Sequence, residues 1–141
     1  MTQTYNPPSD SCISEILQKV RFDADGLVAA IAQSATAPRE VLMLAWMDEG
    51  ALRETLTTGR VCYYSRSRQK LWRKGETSGQ VQILVSAMLD CDGDAVLLHV
   101  AQQGVACHTG RRSCFYLSVT PDGLVENANP EIAPEKLYPK A

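Results

Sequence analysis

Two apolar runs, residues 80–89 and 95–102, flank Asp90-Cys91-Asp92-Gly93-Asp94, and this arrangement constrains the fold more than any other part of the chain. Each run has the length and composition of a strand, and Asp92-Gly93 is a turn pair, so the segment predicts an antiparallel hairpin with an acidic tip. The second strand leads into Gln103-Gly104-Val105-Ala106-Cys107-His108-Thr109-Gly110-Arg111-Arg112-Ser113-Cys114. Residues 90–114 thus gather three cysteines, three aspartates and His108. Such groups rarely crowd together unless they hold metal ions.

The remaining pattern is read around that hairpin. Residues 1–10 form a polar, proline-bearing arm, and Ser11 is placed to cap a short helix over 12–19 with Ile13, Ile16, Leu17 and Val20 on one face. Residues 20–22 and 27–33 read as strands about an Asp23-Ala24-Asp25-Gly26 turn, and 40–46 as a short buried strand. Asp48 caps a helix through about Leu56 that Gly59 closes, with Leu52 and Leu56 facing inward. Strands follow at 61–65 and, briefly, at Leu71-Trp72; a further strand spans 113–119, and Pro121-Asp122-Gly123 is a turn. Strands and helices do not alternate, which argues against a doubly wound parallel sheet. The expected class is mainly β with α (α+β): an antiparallel, barrel-like sheet capped by a helix. The organisation expected is an N-terminal arm and short helix over 1–19, a catalytic domain over 20–120, and a tail over 121–141 packed on the same domain.

The 141 residues suit one domain, and the net charge of −2 leaves no electrostatic footprint for nucleic acid. No apolar run approaches the roughly 20 residues of a membrane span, and the N-terminus lacks the layout of a signal peptide. A cytoplasmic protein is expected. Five cysteines are an odd number for a closed disulfide framework, and in a reducing compartment clustered cysteines are more often ligands or catalytic groups. Cys12 and Cys62 lie outside the cluster and read as small, partly buried structural side chains.

Fifteen residues separate Cys91 from Cys107 and six separate Cys107 from Cys114, which is not the paired spacing of a structural zinc knuckle. Three thiolates suit a zinc site with an open position, or they are three unrelated buried cysteines. His108 is either a fourth ligand or, because neighbouring residues on an extended segment point apart, a proton-transfer group beside the metal. His99, within an apolar strand, reads as a half-exposed strand histidine. Asp90, Asp92 and Asp94 share one face if the segment is extended, opposite Cys91; hard oxygen donors suit Mg²⁺. If Gly93 makes a tight turn, that alternation fails and only the local clustering remains. The bland alternative is a solvated acidic tip. An EF-hand is excluded by the position of the glycine and by Ala101 where such a loop needs glutamate.

A basic, glycine-bearing stretch, Ser65-Arg66-Ser67-Arg68 and Leu71-Trp72-Arg73-Lys74-Gly75-Glu76-Thr77-Ser78-Gly79, has the residue types of a phosphate-binding loop without the order of a Walker motif. Arg66, Arg68, Lys74, Thr77 and Ser78 are candidates for substrate phosphates; taken alone, the whole segment reads equally as a solvated loop. Trp72 either stacks on a base or packs in the core. Glu76 is a candidate for acid–base work or a metal contact. Arg111 and Arg112 add positive charge beside the cysteines.

Taken together, Met43-Leu44-Ala45-Trp46-Met47, Thr58-Gly59, the basic stretch, the acidic tip, Ala106-Cys107-His108-Thr109-Gly110 and Ser113-Cys114-Phe115 resemble the phosphoribosyl-AMP cyclohydrolases of histidine biosynthesis. The resemblance covers roughly residues 20–117; Val105 stands where proline is common in the family. It implies one Zn²⁺ on Cys91, Cys107 and Cys114, Mg²⁺ on Asp90, Asp92 and Asp94, and an intertwined homodimer. In that dimer Cys91 of one subunit meets Cys107 and Cys114 of the other. It also implies hydrolytic opening of the N1–C6 bond of an N1-ribosylated adenine, with His108 as base or proton shuttle. The chain is too short for the pyrophosphatase domain fused to some relatives, so a monofunctional enzyme is expected. Two other readings compete. A zinc nucleobase deaminase would carry H-x-E and P-C-x-x-C, which are missing. A zinc-stapled binding module would leave the aspartates and the basic loop without a role.

Overall fold

The computed structural model describes residues 5–137. Helix α1 (Asp10–Lys19) begins two residues earlier than the sequence predicts, because Ser9 rather than Ser11 is the cap: its hydroxyl accepts from the Cys12 N–H at 3.3 Å. Ile13 and Leu17 are buried on the face the spacing indicates. Tyr5, in the arm before it, donates its hydroxyl to the Leu56 carbonyl at 2.7 Å, so this part of the arm is docked. Residues 1–4 lie outside the described residues.

The central sheet has the order β2-β1-β6-β5, formed by β1 (Val28–Ser34), β2 (Val41–Met47), β5 (Gln82–Leu89) and β6 (Ala95–Gln102). The β5–β6 hairpin is antiparallel, as predicted, and so is β1–β2; β1 and β6 lie parallel at the centre. Helix α2 (Glu49–Thr58) is capped by Asp48 at 2.7 Å to the Ala51 N–H and closed by Gly59, and it buries Leu52 and Leu56. Two small hairpins complete the described strands: β3 (Cys62–Ser65) with β4 (Lys70–Arg73), and β7 (Leu117–Thr120) with β8 (Gly123–Glu126). A short α3 (Pro134–Leu137) lies in the tail. Leu42, Met47, Leu52, Tyr63, Leu84 and Leu98 form the heart of a single core. Each such side chain contributes about 1.5–3 kcal/mol relative to exposure.

The α+β class holds, but the strands do not close into a barrel: β2 and β5 end the sheet, and the two hairpins are separate. Other expectations are corrected by specific hydrogen bonds. Residues 20–22 are not a strand; the Arg21 N–H donates instead to the Gly93 carbonyl at 2.7 Å, tying the end of α1 to the acidic tip. The strand predicted over 113–119 starts only at Leu117. Before it, the Cys114 N–H is taken by the Leu42 carbonyl and the Ser113 hydroxyl by that of Val41, both at 2.7 Å, which fastens this segment to the edge of β2. Strand β2 itself is a partly exposed edge, with Val41 and Leu44 open to solvent, rather than a buried strand. Cys12 is exposed on α1 rather than partly buried, whereas Cys62 is buried as expected.

Candidate active site and metal centres

The acidic tip is a turn, so the alternation argument does not apply there. Gly93 takes a φ of 75°, and a Cβ on it would stand 2.3 Å from the Lys19 carbonyl; only glycine allows this close approach. The turn nevertheless gathers the aspartates more tightly than a strand would. Ligand oxygens of Asp90, Asp92 and Asp94 lie within 4.8 Å of one another, and Asp90 accepts from the Asp94 N–H at 2.9 Å. Hydrogen bonding from its neighbours Asp90 and Asp92, then their charge, pushes the Asp94 carboxyl up to about 6, while the Asp94 hydrogen bonds hold Asp90 low. Three carboxylates sharing a solvent-open space is an arrangement that a hard cation relieves.

The cysteines divide. Cys107 is buried in the loop after β6, where its sulfur accepts the Thr109 hydroxyl at 3.0 Å. Cys114 lies close enough to interact with it. The Cys114 residue is exposed as a whole, yet its thiol is sheltered: burial first, then the neighbouring Cys107, pushes it up to about 12. Cys91 sits exposed on the acidic tip. Among the described residues, Cys91, Cys107 and Cys114 do not gather as a metal-ligand group within one chain; the aspartates alone do.

The loop carrying Cys107 is fixed almost atom by atom. Val105 donates its N–H to Gln80 Oε1 at 2.9 Å, and its carbonyl accepts from Gln102 Nε2 at 3.3 Å. The Ala106 and Cys107 N–H groups donate to the Arg112 and Arg111 carbonyls. Lys74, only 7% exposed, donates its Nζ to the Ala106 carbonyl at 2.7 Å. Behind the loop, fully buried Gln82 accepts from the Tyr63 hydroxyl at 2.7 Å and donates to Gln102 Oε1 at 2.9 Å. This glutamine network escaped the sequence reading. Its only trace there is polar residues at positions 80, 82 and 102 of otherwise apolar strands, which the amphipathic pattern absorbs without comment.

Next to the loop lies a cleft of about 470 Å³ lined by Ser65, Ser67, Arg68, Trp72, Arg73, Lys74, Gly75, Glu76, Thr77, Ser78 and His108. Most of the basic stretch and the histidine of the cysteine motif therefore share one wall. Trp72 packs in the core, its ring 5.0 Å from that of Tyr63, and it also lines the cleft. Burial holds the Lys74 ammonium below its ordinary range, opposed by the charges of Cys114 and Cys107. Arg66, Arg111 and Arg112 are not part of this lining. Arg66 lies over Trp46, 4.7 Å from the ring centroid. Arg111 pairs with Glu126 and covers Tyr116, and Arg112 pairs with Glu40. His99 is half-buried, as expected, but it has polar partners: Ser86 at 3.2 Å and Gln33 at 3.0 Å on neighbouring strands.

A protein-family model described as phosphoribosyl-AMP cyclohydrolase matches residues 43–116, which spans the cleft, the acidic tip and all three clustered cysteines. The chain belongs to the phosphoribosyl-AMP cyclohydrolase family. It is 65% identical over 135 residues to the phosphoribosyl-AMP cyclohydrolase of Gluconobacter oxydans, covering 96% of this chain and 85% of that protein. The protein of the same name from Paramagnetospirillum magneticum is 59% identical over 125 residues, covering 89% and 94%. That from Alkalilimnicola ehrlichii is 63% identical over 123 residues, covering 87% and 86%. With this family the chain joins the hydrolases that act on a cyclic C–N bond. Among the described residues no helix is long and apolar enough to cross a membrane.

Proposed function

We propose that the chain hydrolyses 1-(5-phosphoribosyl)-AMP to the formimino-aminoimidazole-carboxamide ribotide, the third step of L-histidine biosynthesis. The observation that carries this reading is the cleft, which brings Arg68, Trp72, Glu76, Thr77, Ser78 and His108 together beside the cysteine loop of a chain from this family. In the substrate, a ribosyl group on N1 leaves the adenine ring electron-poor at C6. Water adds its oxygen at C6, the N1–C6 bond breaks, C6 becomes the carboxamide carbon and N1 stays on the formamidine. The exocyclic amino group is retained, so no ammonia leaves. His108, exposed on the cleft wall, takes the proton from the attacking water and returns one to N1. Trp72 stacks on the purine, and Arg68, Thr77 and Ser78 hold phosphate oxygens. Glu76 is placed for acid–base work or for a metal contact. Arg66, Arg111 and Arg112 already have partners, so their part is to steer an anionic substrate and hold the loop.

The donor sets suit two metals. Cys107 and Cys114 form a soft, crowded thiol pair, completed by Cys91, and fit Zn²⁺; Asp90, Asp92 and Asp94 form a hard oxygen cluster and fit Mg²⁺. When bound, zinc supplies Lewis acidity that brings the pKa of a water down towards about 7. The zinc ligands come from two copies of the chain in this reading. Support comes from Cys91, which does not meet the other two within one chain, and from the β7–β8 hairpin. Leu117, Val119 and Leu124 lie exposed along one face of it, with Val119 86% open. A two-stranded hairpin alone is marginally stable, and an apolar stripe of this kind suits an interface. All five cysteines are free, which suits a reducing, cytoplasmic setting.

The test is turnover of phosphoribosyl-AMP by the purified protein, with and without chelator. Ring opening without ammonia, lost on chelation and restored by zinc, is expected. Ammonia release, or turnover indifferent to exhaustive metal removal, would overturn the reading.

A further inference from the structure

Lys74 is a cation in an unusual place. It follows β4 directly, its side chain is buried, and among the described residues no carboxylate lies within ion-pair distance of it. A buried ammonium without compensation is costly, and proteins do not retain one without a partner. The groups that face it are the Ala106 carbonyl at 2.7 Å and the face of Trp72 at 5.9 Å. A lysine that served a substrate phosphate would hold its amine free in the cleft. Here the amine is turned onto the loop instead.

We propose that Lys74 is a positioning residue of the zinc site: it anchors the Ala106 carbonyl, and so Cys107. The inference rests on the zinc reading and assigns Lys74 to the metal centre rather than to the substrate. The Lys74 hydrogen bond works with those of Gln80 and Gln102 to hold the backbone of residues 105–107. Outer partners of metal ligands that orient them in this way typically govern 10–100-fold of metal affinity.

The experiment measures zinc affinity of the full chain at one pH, by competition with a chromophoric chelator. It uses the wild type, Lys74→Met, Lys74→Gln, Lys74→Arg and, as the cleft comparison, Arg68→Met. The expected result is a loss of about 10–100-fold for Lys74→Met and a smaller loss for Lys74→Gln, which can still donate to the carbonyl. Lys74→Arg keeps a donor of similar reach for the Ala106 carbonyl and should recover most of the affinity. Arg68→Met should bind zinc as wild type does while raising KM. Lys74→Gln also carries the measurement if Lys74→Met does not fold. Wild-type zinc affinity in the methionine and glutamine variants, with a raised KM for substrate, would overturn the inference and return Lys74 to the phosphate. A wild-type chain that binds no zinc through its thiols would overturn the zinc reading itself, and this inference with it.

Discussion

A metal site divided between two copies makes a quantitative prediction for mixed inactive variants. Cys91 lies on the acidic tip, exposed, whereas Cys107 and Cys114 are neighbours in a different loop of the same chain. Cys91→Ala and Cys107→Ala should each be inactive alone. In a hybrid of the two, one site collects both defects and the other collects none. With free subunit exchange, about half the dimers are hybrids and each carries one intact site of two, so about one quarter of wild-type activity returns. Cys107→Ala mixed with Cys114→Ala gives a contrasting expectation. Both ligands belong to the same half-site, every site in every hybrid keeps one defect, and no activity returns. The assay is turnover after mixing at equal concentration, with exchange followed independently by mass-tagged subunits. Proven exchange without recovery in the first mixture would refute the shared site. Recovery in the second would refute the assignment of Cys107 and Cys114 to one half.

Other consequences can be checked on the folded chain at fixed protein concentration. Tyr63→Phe removes the hydroxyl that satisfies Gln82 in a fully buried network, so urea unfolding should show a loss of about 1–3 kcal/mol. Gly110→Ala places a Cβ 1.8 Å from the Ile132 carbonyl at a φ of 83°, so it should displace the tail and cost about 2 kcal/mol or more. The Arg73 hydrogen bonds hold the Glu54 carboxyl below its ordinary range. Its stabilisation is therefore present above the unfolded glutamate pKa of about 4.3 and is lost as pH falls through the lower folded value. The melting-temperature gap between wild type and Glu54→Gln should narrow from about pH 6 to about pH 3.

Much of the framework was legible because its signals are local. The β5–β6 hairpin announces itself through two apolar runs and Asp92-Gly93, and α2 through Asp48 and Gly59. What failed needed information from elsewhere in the chain. Residues 20–22 carry strand composition, yet the backbone of Arg21 is spent on Gly93. Residues 113–116 continue an apolar pattern into Leu117, yet their donors are captured by β2. The barrel expectation failed for a related reason. Strand count and alternation do not say which strands end a sheet, and here a parallel β1–β6 pair at the centre leaves β2 and β5 as edges.

The candidate site shows the same division at finer scale. Residue types near the reacting groups are readable, because thiols, carboxylates and a basic glycine-bearing loop are rare in such density. Their positions are not readable, because a turn at Gly93 rather than an extended strand brings the aspartates together, and the side chains of Gln80, Gln102 and Lys74 fix the cysteine loop. The glutamines belong to no motif. Gln82 is, in sequence, an ordinary polar residue in a strand, and Lys74 reads there as one cation of a basic loop. They become informative only when burial is known, since a polar group deprived of water must find a partner and thereby dictates where that partner stands. In this chain Lys74 fixes the Ala106 carbonyl, and Gln82 holds Gln102, which in turn donates to the Val105 carbonyl, just before Cys107. The placement of Cys107 is thus decided by the hydrogen-bonding needs of side chains around its loop.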